Sequence, residues 1–223
     1  MDRIPSKDTV CIYSGGMDSF TLVAMTHATG KLHSCLSFDY GQRHVKELAY
    51  ARRYCQALGV DHHVIDLRSM QPHLLGSALT DRVTLPEGHS EDPSMKATIV
   101  PNRNMVMLSM AVAYAVAYRA RAVRFGAHAG DRVIYPDCRE EFVEAFNKAV
   151  ALANDWQVVI EAPFLNVDKV GILDVGMALH LDYAQAWTCY AGREKACGKC
   201  GACRERLDAF ERGGWKDPME YEA

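Results

Sequence analysis

The chain has 223 residues, 25 Lys and Arg against 28 Asp and Glu, and a formal net charge of −3; 49% of it is hydrophobic and 24% charged. That size and composition suit one α/β domain with a small appendage, and the acidic balance argues against an electrostatic grip on long nucleic acid. No apolar run reaches membrane-spanning length and no basic-then-apolar leader stands at the start, so a cytoplasmic protein without a membrane or stable nucleic-acid partner is expected.

Thr9 to Tyr13 reads as a short buried strand, and Phe20, Leu22, Val23, Met25 and Thr26 have the spacing of a helix that begins near Asp18 and stops at Gly30. Between them lies Ser14-Gly15-Gly16-Met17-Asp18-Ser19. A strand that turns through two glycines into a helix leaves backbone N–H groups facing outward with the helix dipole behind them, an anion cradle. Any Cβ on the glycines would hold phosphate oxygens away, the Ser14 and Ser19 hydroxyls add donors, and Asp18 is suited to Mg²⁺. Neither common phosphate-binding glycine motif is present. S-G-G-x-D-S is instead the signature of loops that split ATP into AMP and pyrophosphate; the plainer reading is an ordinary strand–turn–helix corner.

Leu32 to Phe38 is strand-like, Lys46 to Leu58 forms an amphipathic helix stopped by Gly59, and His62 to Leu67 is a strand. Residues 69–100, with Pro72, Pro86 and Pro93, form one long irregular stretch. A long apolar helix follows over Asn102 to Arg119, then a strand over Val123 to Gly126, a helix over Glu140 to Leu152, a strand over Val158 to Ile160 and a helix over Val170 to Leu179. This alternation predicts an open parallel sheet with helices on both faces, Rossmann-like in plan. Ligands of such sheets sit at the carboxyl ends of the strands. Three polar clusters fall there: Phe38-Asp39-Tyr40-Gly41-Gln42-Arg43-His44, Gly126-Ala127-His128-Ala129-Gly130-Asp131, and Pro101-Asn102-Arg103-Asn104.

Eight cysteines divide into two kinds. Cys11, Cys35 and Cys55 stand in apolar contexts and read as small buried hydrophobes. Cys189, Cys197, Cys200 and Cys203 give C-x7-C-x2-C-x2-C, with Gly192, Gly198 and Gly201 allowing tight turns between them. Four thiolates suit tetrahedral Zn²⁺ in a filled, structural site. An iron–sulfur cluster is the main rival, but its fourth cysteine and proline are replaced by Arg204-Glu205-Arg206. A C-x-x-C redox pair and four unrelated thiols are the others.

Taken together, S-G-G-M-D-S, S-F-D-Y-G-Q-R-H, S-A-L-T-D, P-N-R-N, Y-P-D-C-R-E-E-F and W-T-C-Y…C-G-K-C-G-A-C, spread from about residue 9 to 207, resemble the QueC family of 7-cyano-7-deazaguanine synthases, within the pyrophosphate-loop ATPases. The resemblance implies an adenine-nucleotide alpha hydrolase-like fold, with residues 1–180 as the nucleotide-binding domain and 181–223 as a zinc-binding segment packed on it. It also implies a ligase that joins 7-carboxy-7-deazaguanine and ammonia at the expense of ATP, with Mg²⁺ and bound Zn²⁺, in queuosine or related 7-deazaguanine synthesis, usually as a homodimer. On the chemistry, a carboxylate is a poor electrophile, and adenylation supplies a leaving group; ammonia gives an amide, whose oxygen is activated again before the nitrile forms.

Carried over residue by residue, the nucleotide-binding stretch is Tyr13, Ser14, Gly15, Gly16, Met17, Asp18, Ser19, Phe20, Thr21, Leu22 and Val23, with Asp39, Arg43 and His44 as further ATP contacts. Ser14, Asp18, Ser19 and Lys169 are the catalytic candidates. Asp131, Tyr135, Asp137 and Arg139 match the second polar segment and are assigned to the deazaguanine, a carboxylate there accepting from its N1–H and 2-amino group; Asn104 joins them, and Arg103 or Arg139 would pair with the substrate carboxylate. Cys189, Cys197, Cys200 and Cys203 are the metal ligands. The pair Ala127-His128 and the acidic tail from Asp217 to Glu222 depart from the family pattern.

Two other classes fit parts of the chain. A pyrophosphate-loop tRNA thiolase would show a basic surface and free reactive cysteines. A zinc-knuckle interaction module would use the small basic patch of Arg193, Lys195, Lys199, Arg204 and Arg206. Within the family reading, the product could stop at the 7-amide, and the pathway could serve tRNA or DNA.

Overall fold

The computed structural model describes residues 6–81, 83–89 and 92–222. The ends of the two expected segments, residues 1–5 and 223, lie outside these. Five strands, β1 (Thr9–Ile12), β2 (Leu32–Asp39), β3 (Asp61–Asp66), β4 (Ala122–Arg124) and β5 (Val159–Glu161), form one all-parallel sheet in the order β3-β2-β1-β4-β5. Around it run α1 (Met17–Ala28), α2 (Glu47–Leu58), α3 (Arg103–Ala117), α4 (Glu140–Ala153), α5 (Lys169–Ala178) and α6 (Gly201–Arg212). The chain winds outward from β1 to β3, then returns to the other side of β1 for β4 and β5. The strand order therefore reverses between β1 and β4, and the connections leaving those two strands diverge to open a crevice.

The expected α/β architecture is the one observed. Along β1 the side chains alternate between faces: Val10 packs with Leu36, Leu108, Val123 and Ile160 under α3 and α4, while Cys11 packs with Phe20, Cys35 and Cys55 under α1 and α2. All three apolar-context cysteines are buried, as a sheet covered on both faces requires.

Three local differences have physical causes. The strand expected to reach Gly126 ends at Arg124, because the chain must pass close over the first turn of α1, where a Cβ on Gly126 would stand 3.3 Å from the Ser19 nitrogen. The stretch expected to be irregular contains two 3₁₀ segments, Arg68–His73 and Pro93–Thr98, and is pinned to the core through Ser77, Ala78, Leu79 and Thr98, all nearly or wholly buried. Helix α6 was not foreseen. It buries Cys203, Arg206, Ala209 and Phe210 on one side, and Arg206, fully buried, donates to the Tyr183 and Ala186 carbonyls and to Asp217 at 2.8 Å.

Candidate active site

The crevice is a cavity of about 220 Å³ bounded by the loop after β1, the loop after β2, the start of α3, the loop after β4, the start of α5 and the C-terminal segment. Its phosphate-loop wall is tied together by hydroxyls. Ser14 Oγ and Ser19 Oγ are 3.0 Å apart, the Gly16 amide donates to Ser14 Oγ at 3.2 Å, and Ser19 Oγ donates to the Gly16 carbonyl at 3.1 Å. Helix α1 begins at Met17, so its first-turn amides have no carbonyl within the helix to bond, and Met17, Asp18 and Ser19, which carry them, line the crevice. Gly15 is glycine for a reason other than phosphate approach. Its φ is +90°, and a Cβ there would collide with the Glu47 carbonyl in α2, so this residue is what lets the loop lie against that helix.

The floor is ionic. Lys169, the first residue of α5 after its Asp168 cap, donates to both carboxylate oxygens of Asp18 at 2.8 and 2.7 Å and stands 3.2 Å from Glu205 Oε2. His128 is 2% exposed, and the Gly130 amide stands 3.1 Å from its Nδ1. Its Nε2 faces Asp131 Oδ1 at 3.6 Å and Glu205 Oε1 at 3.7 Å, and Lys169 Nζ lies 3.1 Å from it. Asp18, Asp131 and Glu205 surround this pair. Burial works against the Lys169 charge, but Asp18, Glu205 and Asp131 outweigh it and lift its pKa well above that of a free lysine. Burial would raise Asp18, yet Lys169 and then His128 hold it below the ordinary carboxylate value; burial wins at Asp131 and raises it. Asp18, the carboxylate on the phosphate loop, offers the oxygen donors that a hard divalent cation such as Mg²⁺ takes.

The opposite wall is aromatic and close to neutral. Tyr40, His44, Glu47, Arg103 and Tyr190 line it. Burial, with Arg103 beside it, pushes His44 down to about 3, and burial pushes Glu47 up to about 8 against the Gln42 hydrogen bond and Arg103. Tyr40 is pushed up to about 12 by burial. At neutral pH the charge on this wall is therefore that of Arg103. Among the described residues no carboxylate forms an ion pair with it, and its guanidinium stands among the Tyr40, Tyr135 and Tyr190 rings.

The C-terminal segment closes the crevice. The Sγ atoms of Cys189, Cys197, Cys200 and Cys203 all lie within 4.8 Å of one another, and all four residues are buried. A tetrahedral ion with roughly 2.3 Å metal–sulfur bonds would set its thiolates about 3.8 Å apart, so the cluster fits a metal ion. Backbone amides of Ala191 and Cys197 donate to Cys189 Sγ, and those of Lys199 and Cys200 to Cys197 Sγ, at 3.3 to 3.4 Å. Such donors stabilise thiolate charge. Tyr190 follows Cys189, and Ala202 and Glu205 follow Cys200, so the segment supplies cavity wall as well as cluster.

Of the residues singled out from the sequence, Ser14, Gly16, Met17, Asp18, Ser19, His44, Arg103, Asn104, Asp131, Tyr135 and Lys169 line the cavity. Others do not. Tyr13, Phe20 and Val23 are core residues, Leu22 packs on Phe164 and Ile172, and Thr21 bonds the Tyr183 hydroxyl at 2.7 Å; one face of α1 must serve the core. Asp39 accepts from the Gly41 amide at 3.1 Å and lies 3.7 Å from Arg68, away from the cavity. Arg43 donates to the Asp81 and Val83 carbonyls at 2.6 Å, clamping the long connection. Asp137 accepts from the Asn104 amide at 3.2 Å and so supports the cavity from behind, while Arg139 turns outward to the Arg132 carbonyl at 3.2 Å. The sequence reading missed Tyr40, Glu47, His128, Tyr190 and Glu205. The first three stand in or beside polar clusters already noticed; Glu205 gave no signal beyond its place two residues after Cys203.

The supposed basic patch is largely neutralised. Arg193 pairs with Glu222 at 2.7 Å, Lys195 with Glu220 at 3.3 Å and Arg206 with Asp217, so the acidic tail is a strap across the cysteine segment. A backbone bridge between Ala196 and Tyr221 fixes it there. No helix among the described residues is long and apolar enough to cross a membrane.

A family model described as queuosine biosynthesis protein QueC matches residues 8–214. The 7-cyano-7-deazaguanine synthase of Alteromonas mediterranea is 55% identical over 217 residues, which cover 97% of this chain and all of that protein. The 7-cyano-7-deazaguanine synthase 1 of Colwellia psychrerythraea is 56% identical over 217 residues, with the same coverage of both chains. Among solved structures, NMN synthetase from Francisella tularensis superposes with a TM-score of 0.52 at 19% identity, covering 95% of this chain and 79% of that one, a likeness of fold alone.

Proposed function

This chain belongs to the QueC family, and from that premise we propose that it is a 7-cyano-7-deazaguanine synthase, an ATP-dependent ligase that converts 7-carboxy-7-deazaguanine and ammonia to the nitrile through an adenylated carboxylate and an amide. The observation that carries the mechanistic part is the division of one cavity into an ionic floor beside the phosphate loop and a near-neutral wall whose charge is the Arg103 guanidinium.

In this reading the first-turn amides of α1 and the Ser14 and Ser19 hydroxyls receive the phosphates of ATP, with Lys169 adding a fixed positive charge. Asp18 would hold Mg²⁺, which when bound offsets charge on the leaving pyrophosphate. Arg103 rather than Arg139 takes the substrate carboxylate, because only Arg103 faces the cavity. Asp131 and Tyr135 stand where the deazaguanine ring would lie between floor and wall, and Asn104 is set in place by Asp137. Cys189, Cys197, Cys200 and Cys203 would hold Zn²⁺ with every position filled, so that metal shapes the cavity and takes no part in the reaction. Core packing gives Tyr13, Phe20, Thr21, Leu22 and Val23 the task of seating the loop, and Asp39 and Arg43 that of fixing the chain after β2.

Residues 1–180 make the nucleotide-binding domain and 181–223 the metal-binding segment packed on it. The protein works in the cytoplasm as a homodimer, without a membrane or stable nucleic-acid partner. Incubation with 7-carboxy-7-deazaguanine, ATP, Mg²⁺ and ammonium tests this reading: the amide mass should appear first and give way to that of the nitrile. Accumulation of the amide alone rejects the synthase step; sulfur transfer to tRNA with no reaction on the free base rejects the ligase.

A further inference from the structure

Lys169 is held by carboxylates that come from opposite ends of the chain. Asp18 binds it through both oxygens at 2.8 and 2.7 Å, and Glu205 stands 3.2 Å away on the other side. The lysine side chain is only 8% exposed, so water is a poor substitute for either partner. The pairing with Asp18 conflicts with the use of Asp18 as a magnesium ligand, because a carboxylate engaged through both oxygens must loosen its lysine to accept a cation. At that moment the ammonium needs another anion nearby, and Glu205 is the one in place.

We propose that Glu205 is a positioning residue for Lys169: it keeps the ammonium beside the phosphate loop while Asp18 is engaged by magnesium, and the four-cysteine segment is the scaffold that sets it there. The inference rests on the assignment of the phosphate loop to Mg²⁺ and ATP. The scaffold is rigid at the right point. Helix α6 begins at the Cys200 cap, carries Cys203 in its first turn, and at Arg206 is locked by bonds to the Tyr183 carbonyl at 2.9 Å and to Asp217 at 2.8 Å. Glu205 thus lies between two anchored neighbours. Its carboxylate also fills the space over the loop after β4, where a Cβ on Gly130 would come within 2.8 Å of Glu205 Oε1.

The test is calorimetric and needs no turnover. The intact protein, with its metal, is titrated with an ATP analogue that cannot be cleaved between the α and β phosphates, across a range of Mg²⁺ concentrations. Glu205→Gln should retain the metal content and Tm of the original protein, yet require about 10-fold more Mg²⁺ for half-maximal analogue binding, the loss of the negative charge from an ion pair 3.2 Å long. Glu205→Asp should recover part of the difference. Asp131→Asn, which removes one charge from the same cluster without freeing Lys169, should shift the requirement much less. An unchanged Mg²⁺ requirement in Glu205→Gln, an equal shift in Asp131→Asn, or a fall in metal content or Tm would each overturn the proposal, the last by making Glu205 structural. If the original protein shows no Mg²⁺-dependent nucleotide binding, the phosphate-loop assignment itself falls and takes this proposal with it.

Discussion

The floor and the wall line one cavity and obey opposite rules. On the floor, Asp18, Asp131 and Glu205 crowd Lys169 and His128, and mutual attraction keeps charge in a buried place. On the wall, burial removes charge: His44 is held neutral, Glu47 is protonated through neutral pH, and Arg103 stays ionised with no ion pair among the described residues. A buried charge persists where partners of opposite sign are supplied and is given up where they are not. A phosphate-transferring end needs the first arrangement, because charge moves there. A base-reading end needs the second, because neutral donors and acceptors discriminate by geometry. The lone guanidinium then becomes the one strong attraction the wall offers to an anionic substituent.

The largest effect should come from breaking the floor. Lys169→Met removes the cation that the three carboxylates surround, and kcat should fall by about 10²–10³-fold, the usual cost of deleting one preorganised donor at a transferring phosphate. Binding of the base, measured without nucleotide, should stay near its original value. If base binding falls as steeply as kcat, floor and wall are one site and the contrast drawn above is wrong.

Breaking the wall should read out differently. Arg103→Met should raise KM for the carboxylate substrate by roughly 10–100-fold, from the loss of hydrogen bonds to a charged group, and leave the apparent affinity for ATP almost untouched. Arg139→Ala is the control, since its side chain turns to the Arg132 carbonyl outside the cavity. Steady-state kinetics with each substrate varied in turn separates the two; an equal rise in both KM values for Arg103→Met would place that residue on the nucleotide.

Metal removal probes what floor and wall share, since Tyr190 follows one cysteine and Glu205 rides the helix that carries another. Cys200→Ser should weaken zinc retention by more than the about 10–100-fold that loss of a supporting contact costs, and should lower Tm. Activity per folded molecule at saturating Mg²⁺ should fall far less than in Lys169→Met. Elemental analysis together with thermal melting measures this, and iron with sulfide in the purified protein would overturn the zinc assignment.

Legibility in the sequence followed the same divide between local and distant. The phosphate loop and the four cysteines are set by spacing within short stretches, and alternating strand and helix patterns predict the doubly covered sheet. Helix α6 was hidden because Gly198 stands just before it, Gly201 is its first residue, and its inward face carries Arg206, which breaks the apolar period. Arg43 and Arg139 were placed at the cavity because sequence locates a loop at a sheet edge but not the direction of its side chains. His128 stood in a polar cluster at a strand end and as a departure from the family pattern, with no role attached, and the acidic tail matched nothing. Both acquire a reason only in three dimensions, one against Lys169 and the other across the cysteine segment. Glu205 joins residues 18 and 169 through topology, so no local pattern could show it.

The smallest effect sharpens the rule for the wall. Burial raises Glu47 to about 8 in the folded protein, against an ordinary value of 4.5 when unfolded. Between pH 6.5 and 8 the folded state therefore keeps a proton that the unfolded state has lost, and stability should fall as pH rises, by about 1 kcal/mol per pH unit from this group. His44 adds a smaller slope of opposite sign at the low end, since the unfolded imidazole is half protonated at pH 6.5 while the folded one, pushed down to about 3, is neutral, and comparison of two proteins that both keep His44 cancels it. Glu47→Gln keeps the side chain's shape and cannot ionise, so the part of the slope due to Glu47 should vanish. Denaturant titrations of both proteins at pH 6.5, 7.25 and 8 give the difference directly. Parallel stability curves would mean that Glu47 is ionised in the folded state, and the wall would then hold a paired charge like the floor.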